Sequence, residues 1–332
     1  MREAEWFVKS DGGWKCMLCP RGCTFREGAG GRGLCRVRGV KDGIPYLPGY
    51  AECVSLSIDP IEKKPLYHFL PGTVILSTGP PGCNLTCDFC QDWTISQSDD
   101  VPTRHVPPQD LAEMAMSRGS RGIAFTYTEP AIWFEYIADV APLVRDLGGA
   151  VVMVSNGEVT HEPLESYIRF TDAWNVDLKS WSPEFYGKHC SGSLDAVLDT
   201  LKTLAASRCH LEVTFLIIPG ENDDPEEWRE MAAWLSGNCG RDTVLHISRY
   251  FPRYRLRREP TPVETLVSAM KIFSENLDHV YLGNVSAGYS DTVCPSCGAV
   301  CVDRNGWAVD TSGLRGGACA SCGQELDIVH EL

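Results

Sequence analysis

The sequence predicts an α/β protein built on a parallel sheet, with a small cysteine-bearing module at each end. Three observations carry this. Strand-like and helix-like segments alternate between about Thr73 and Val285. Twelve of the 16 cysteines fall in clusters near the start, in the first third and at the end, and four are scattered between them. The composition, 43% hydrophobic and 22% charged over 332 residues, suits a globular chain with a real core.

In order, Val74 to Ser77 is a short apolar run that leads into a cysteine loop. Leu111 to Arg118 has helical spacing, and Gly122 to Thr128 reads as strand. Ala131 to Leu147 is a helix stopped by Gly148-Gly149. Ala150 to Val154 is the third strand, with a helix around Pro163 to Phe170 after it. Trp174 to Leu178 is the fourth, followed by the helix Leu194 to Ala206. His210 to Ile218 is the fifth, ended by Pro219-Gly220. Asp224 caps the next helix, Pro225 takes its first position and Glu227 reaches back. Val244 to Ser248 is the sixth strand, and Thr261-Pro262-Val263-Glu264 repeats the capping pattern before a helix to about Asn276. His279 to Val285 is a last strand-like run. Six strand-then-helix units in series imply crossovers between parallel strands, which a doubly wound sheet and a barrel both provide. In either, chemistry gathers at the carboxyl ends of the strands.

The 30 basic and 44 acidic residues give a net charge of −14, a poor match to a nucleic-acid backbone. No run approaches the roughly 18 apolar residues of a membrane span. The start, MREAEWFVKSDGGWK, lacks the apolar stretch of a secretory signal. A cytoplasmic protein is expected, in which clustered thiols hold metal more often than disulfides.

Cys83, Cys87 and Cys90 stand in the spacing C-x3-C-x2-C directly after the first strand. Three thiolates on one short loop suit one corner of a [4Fe-4S] cluster, which takes four protein thiolates when complete. No fourth cysteine follows soon after, so one iron stays open to a cofactor or substrate. The bland readings are a coincidence or a three-ligand zinc site, although catalytic zinc draws mostly on histidine and the loop has none.

With Phe89 just before the third cysteine, this loop resembles that of the radical S-adenosylmethionine (SAM) superfamily. The resemblance implies a partial (β/α)6 TIM-type barrel, here over residues 71–290, and a [4Fe-4S] cluster whose open iron binds the SAM amino and carboxylate groups. It further implies reductive cleavage of SAM to a 5′-deoxyadenosyl radical that abstracts hydrogen, with an electron donor such as flavodoxin or ferredoxin. Superfamily members often carry Gly-Gly-Glu-Pro at the end of the second strand to hold the SAM amino group. This chain has Tyr127-Thr128-Glu129-Pro130, with Tyr127 and Glu129 expected on one face of the strand.

Ser155-Asn156-Gly157 resembles the Thr-Asn-Gly of pyruvate formate-lyase activating enzymes, with Val154 where those carry an acidic residue. The same resemblance gives Lys179 the SAM carboxylate and Asp177 a ribose or cation contact; an interior salt bridge is the alternative. His246 matches the activases' histidine near the ribose, or is a structural strand histidine. Arg249, Arg253, Arg255, Arg257 and Arg258 follow the sixth strand. At a barrel mouth they would clamp an anionic substrate; otherwise they form a solvated loop.

Cys294-x2-Cys297 and Cys319-x2-Cys322, 21 residues apart and each followed by glycine, form a zinc-ribbon signal in residues 291–332. In residues 1–70, Cys16, Cys19, Cys23 and Cys35 form a second four-thiolate set around a glycine-rich loop, for zinc or an auxiliary iron–sulfur cluster. Zinc is the commoner occupant of such small modules. Cys53, Cys190, Cys209, Cys239 and Cys301 have no role beyond packing.

The two cysteine modules, Asp59 to Phe69, Gln91-Asp92-Trp93 and Gly283-Asn284-Val285 together resemble the radical SAM enzyme of the AmmeMemoRadiSam system. That resemblance implies the system's two other proteins as partners or pathway neighbours. Three functions follow: a radical SAM enzyme acting on a metabolite-like substrate, an activase of a glycyl-radical enzyme, or a non-catalytic zinc-ribbon binding module.

Overall fold

A computed structural model describes residues 2–285 and 288–332. Its centre is an eight-stranded sheet whose strands are β1 (Ser57–Pro60), β2 (Val74–Thr78), β3 (Ser120–Phe125), β4 (Ala150–Ser155), β5 (Ala173–Asp177), β6 (His210–Ile217), β7 (Val244–Arg249) and β8 (His279–Gly283). The strands lie side by side in chain order. All neighbours from β2 to β8 are parallel, and β1 pairs antiparallel with β2. The crossover helices are α1 (Pro108–Ala115), α2 (Phe134–Asp146), α3 (His161–Ile168), α4 (Leu194–Ala205), α5 (Pro225–Cys239) and α6 (Val263–Phe273).

Chain order without a reversal decides between the two architectures left open by the periodicity. A doubly wound sheet needs a switch point where the order turns back, and this sheet has none. It is wound in one direction, like the wall of a barrel, and stays open, with β1 and β8 as edges. The sheet begins at Ser57, inside the stretch expected to form the front module.

Side chains alternate between the two faces. One face meets the helices through Ile123, Phe125, Val151, Met153, Trp174 and Val176. The other carries Ile75, Ala124, Ala150, Val152 and Ala173 against Ile61, Leu66, Phe69 and Leu70. The segment after β1 thus plugs the amino-terminal end of the sheet, and alanine leaves room for it. Further across the same face lies Glu212, fully buried. It accepts from the Tyr67 and His68 backbone N–H groups and pairs with His210 and His246.

Asp224 caps α5 by accepting from the Glu226 N–H at 2.9 Å, as its position predicts. The expected cap at Thr261 does not form. Its hydroxyl donates to the Ile217 carbonyl and accepts from Tyr250 N–H, tying two loops together, and α6 starts after Pro262 without a side-chain cap. No described helix is long and apolar enough to cross a membrane.

Candidate active site

The loop after β2 has little repeating structure, yet neighbours hold it on several sides. Thr86 N–H donates to the Cys190 carbonyl and Asp88 N–H to that of His189. Arg255 and Leu256 N–H both donate to the Asp88 carbonyl, so the arginine-rich loop does rim this site. Gly82 is required: at φ +132 its missing Cβ would sit 2.1 Å from the Cys35 carbonyl oxygen. Phe89 is buried and packs against Phe185 at 5.8 Å between ring centres.

The Cys83 sulfur accepts from Leu85 N–H at 3.3 Å and faces the Asn156 amide nitrogen at 3.6 Å. Cys90 lies 3.3 Å from the Ser96 hydroxyl. A hydrogen bond with Cys190 pulls the Cys87 thiol below its ordinary range, aided by Lys179 and opposed by burial. Among the described residues, three or more metal-ligating side chains gather within 4.8 Å of one another only at Cys294, Cys297, Cys319 and Cys322. The three loop thiols therefore stand wider apart than one ion needs. That spread fits an iron–sulfur cluster better than it fits a single zinc ion.

The end of β3 differs from the expectation. The strand stops at Phe125, and Tyr127 turns out of it at φ +69. This is the left-handed region that glycine enters freely, at the position where Gly-Gly-Glu-Pro has its first glycine. Because of that turn Tyr127 and Glu129 do not share a face. The Tyr127 hydroxyl reaches Asp59 at 3.3 Å, whereas Glu129 points to the end of β4. There it accepts from Ala131 N–H, Ser155 Oγ and Asn156 N–H at 2.7 to 2.8 Å. Burial raises the Glu129 carboxyl to about 7 against those three donors.

Asp177 and Lys179 do share a face, with Nζ 2.8 Å from the carboxylate. Burial would lower the Lys179 ammonium, but Asp177 and the nearby Cys87 and Cys190 thiols outweigh it and hold it well above its ordinary range. His246 is buried with Nε2 on Glu212, and Tyr67 and Tyr281 lie against its ring. Any cofactor contact would have to use Nδ1.

Comparison with known proteins decides the family. The Radical SAM superfamily profile matches residues 78–235, from the end of β2 into α5. An uncharacterized protein of Methanocaldococcus jannaschii is 39% identical over 99% of this chain and 100% of its own. This chain belongs to the radical SAM superfamily. It is therefore an enzyme, of a superfamily that uses SAM with an iron–sulfur cluster. The (2S)-3-sulfopropanediol dehydratase activating enzyme of Klebsiella oxytoca is 26% identical over 37% of this chain and 39% of its own length. Two solved structures share the fold at low identity. A radical SAM methyltransferase from Sphaerobacter thermophilus has TM-score 0.50 and 13% identity over 72% of this chain and 73% of its own. Streptococcus suis SuiB bound to SAM has TM-score 0.50 and 12% identity over 61% and 48%.

Beside the radical SAM loop the structure places two residues that no spacing rule could find. The sequence offers only packing for Cys190, but it abuts Cys87. His189 lies between Asp88 at 2.9 Å and Glu221 at 2.8 Å, and Glu221 also holds Arg258. Both belong to a π-helical turn, Tyr186–Cys190, whose His189 and Cys190 carbonyls accept from the loop. Of the arginine loop, Arg253, Arg255 and Arg257 are exposed. Tyr254 stacks on Trp93 at 5.1 Å.

At the end of the radical SAM chain, Cys294 and Cys322 lie 3.7 Å apart, as do Cys297 and Cys319. A tetrahedral ion with bonds of about 2.3 Å to sulfur sets its ligands at about that separation. Backbone N–H groups of Cys322 and Ser321 hold the Cys319 thiol down at about 6. Gly298 and Gly323, both at φ near +75, make the turns expected after each knuckle. The tail is more than an appendage. Buried Arg304 reaches from it to the Tyr67 carbonyl and stacks over the Tyr67 ring at 4.3 Å. Val329 exchanges backbone hydrogen bonds with His68 and Leu70.

Proposed function

We propose that Cys83, Cys87 and Cys90 hold a [4Fe-4S] cluster, and that SAM binds at the adjoining strand ends. The observation that carries this is the loop itself: three thiols, wider than a single-ion site, fixed against Asn156 and Lys179. When bound, such a cluster supplies the single electron for reductive cleavage of SAM, and hydrogen is then taken from a substrate. The chain's own residues do the positioning. Lys179 is the cation suited to the SAM carboxylate, steadied by Asp177. Glu129 ties the β3 and β4 ends together through Ser155 and Asn156. Tyr127, Phe89 and His246 shape the walls around them.

The single ion suited to Cys294, Cys297, Cys319 and Cys322 is zinc, in a structural role. The substrate side is open to an anion, because exposed Arg253, Arg255 and Arg257 border the loop. Membership of the AmmeMemoRadiSam system rests on the sequence resemblance. The second reading, an activase acting on a protein partner, is supported by the partial match to the Klebsiella activating enzyme. Val154, where activases carry an acidic residue, weighs against it.

The test is anaerobic reconstitution with iron and sulfide, followed by reductant and SAM. The wild type should release 5′-deoxyadenosine, and Cys87→Ala should release none while keeping its fold and tail zinc. Cleavage by the variant would overturn the cluster assignment. Deuterated metabolites would then show which substrate gives up hydrogen. An organic radical on a glycyl-radical partner would favour the activase reading instead.

A further inference from the structure

Cys16, Cys19, Cys23 and Cys35 come together around one cavity, which Arg38 and Asn84 also line. Its remaining wall is largely apolar, with Leu18, Phe25 and Ile132.

The chain contains its own standard for a single-ion site. The four tail sulfurs all lie within 4.8 Å of one another, with close pairs at 3.7 Å. The front thiols ring a shared cavity, yet among the described residues no three of them come within that limit. Four thiolates around a space too wide for one ion are the donor set of a polynuclear iron–sulfur cluster. The site also shares a wall with the central loop. Asn84 adjoins Cys83, its carbonyl accepts from Arg21 Nε at 2.8 Å, and Gly82 packs on the Cys35 carbonyl.

We propose that Cys16, Cys19, Cys23 and Cys35 hold a second iron–sulfur cluster, against the common reading of such a module as zinc. The proposal goes beyond the function proposed above and uses different thiols, so each can fail alone.

The test uses the full chain carrying Cys83→Ala, Cys87→Ala and Cys90→Ala together, prepared anaerobically with iron and sulfide. It should retain between about a third and a half of the wild-type iron, for a two-iron or a four-iron front cluster, with matching acid-labile sulfide. Both the variant and the wild type should hold one zinc per chain. Adding Cys19→Ser and Cys23→Ser should remove the remaining iron, while single-cluster iron returns when only those two are changed in the wild type. A triple variant with no iron or sulfide, or a wild type with two zinc ions per chain, would overturn the proposal. A triple variant that keeps the full wild-type iron would instead count against the reading of Cys83, Cys87 and Cys90.

Discussion

The Asn156 amide nitrogen lies 3.6 Å from the Cys83 sulfur and 2.9 Å from the Asn84 side-chain oxygen. The two residues are on different units of the sheet, and this contact joins the end of β4 to the cysteine loop. Asn156 also accepts from Glu158 N–H at 2.9 Å, so its side chain is fixed at both ends. Replacing it with alanine removes a donor from the thiol and leaves buried Asn84 with one bond fewer. Asn156→Ala should lower 5′-deoxyadenosine formation by about tenfold, close to 1.4 kcal/mol, while iron content stays at the wild-type level. Unchanged turnover would show that the contact is only packing.

Lys179 offers a second test. Its ammonium is nearly buried and paired with Asp177, which is half-exposed and can be rehydrated. Lys179→Met should weaken SAM binding by about tenfold or more, read from the SAM dependence of its cleavage. Thermal stability should change little. A large drop in Tm with unchanged SAM affinity would assign the pair to the sheet interior instead.

Glu212 makes an acid-stability prediction. Burial would raise its carboxyl, but hydrogen bonds from His210 and His246 outweigh this and hold it well below its ordinary 4.5. The folded state then binds fewer protons than the unfolded one. Its contribution is full above about pH 4.5 and is lost as pH falls through the folded value. Glu212→Gln should cost about 3–5 kcal/mol at neutral pH, because it breaks a buried charged network that also anchors Tyr67 and His68. It should also flatten the acid limb of the stability curve. An unaltered limb would contradict the assignment.

The tail gives a prediction that separates metals. Cys297→Ser should reduce bound zinc from about one ion per chain to none and leave iron unchanged. The ribbon would lose a stabilisation of about 10–16 kcal/mol, the range for structural zinc in small fingers. Limited proteolysis should then cut between Val300 and Gly317 first. Arg304→Met should expose the same cleavage with zinc retained, since it removes the hydrogen bond to Tyr67 and the stacking on its ring.

Local patterns were legible in the chain itself. Alternating strand and helix signals located the parallel units to within a few residues, because apolar periodicity reports which face of an element is buried. The knuckle spacing and its glycines located the four cysteines that meet in the tail, since each knuckle is a short local turn. The grouping of Cys83, Cys87 and Cys90 was equally local. The Thr261 cap and the shared face of Tyr127 and Glu129 failed for one physical reason: tertiary hydrogen bonds and a left-handed turn took over residues that a local pattern had assigned.

What the sequence by itself determined, then, was the family, the winding units and three sets of thiols. Only the tertiary structure decided that the sheet is singly wound, that Cys190 stands beside Cys87, and that Arg304 fastens the tail beneath Tyr67. Only it separated a tight thiol site from a wide one. Spacing along the chain counts cysteines and says that they can meet. How far apart the sulfurs are held depends on distant residues packed around them, and that distance selects between one ion and a cluster.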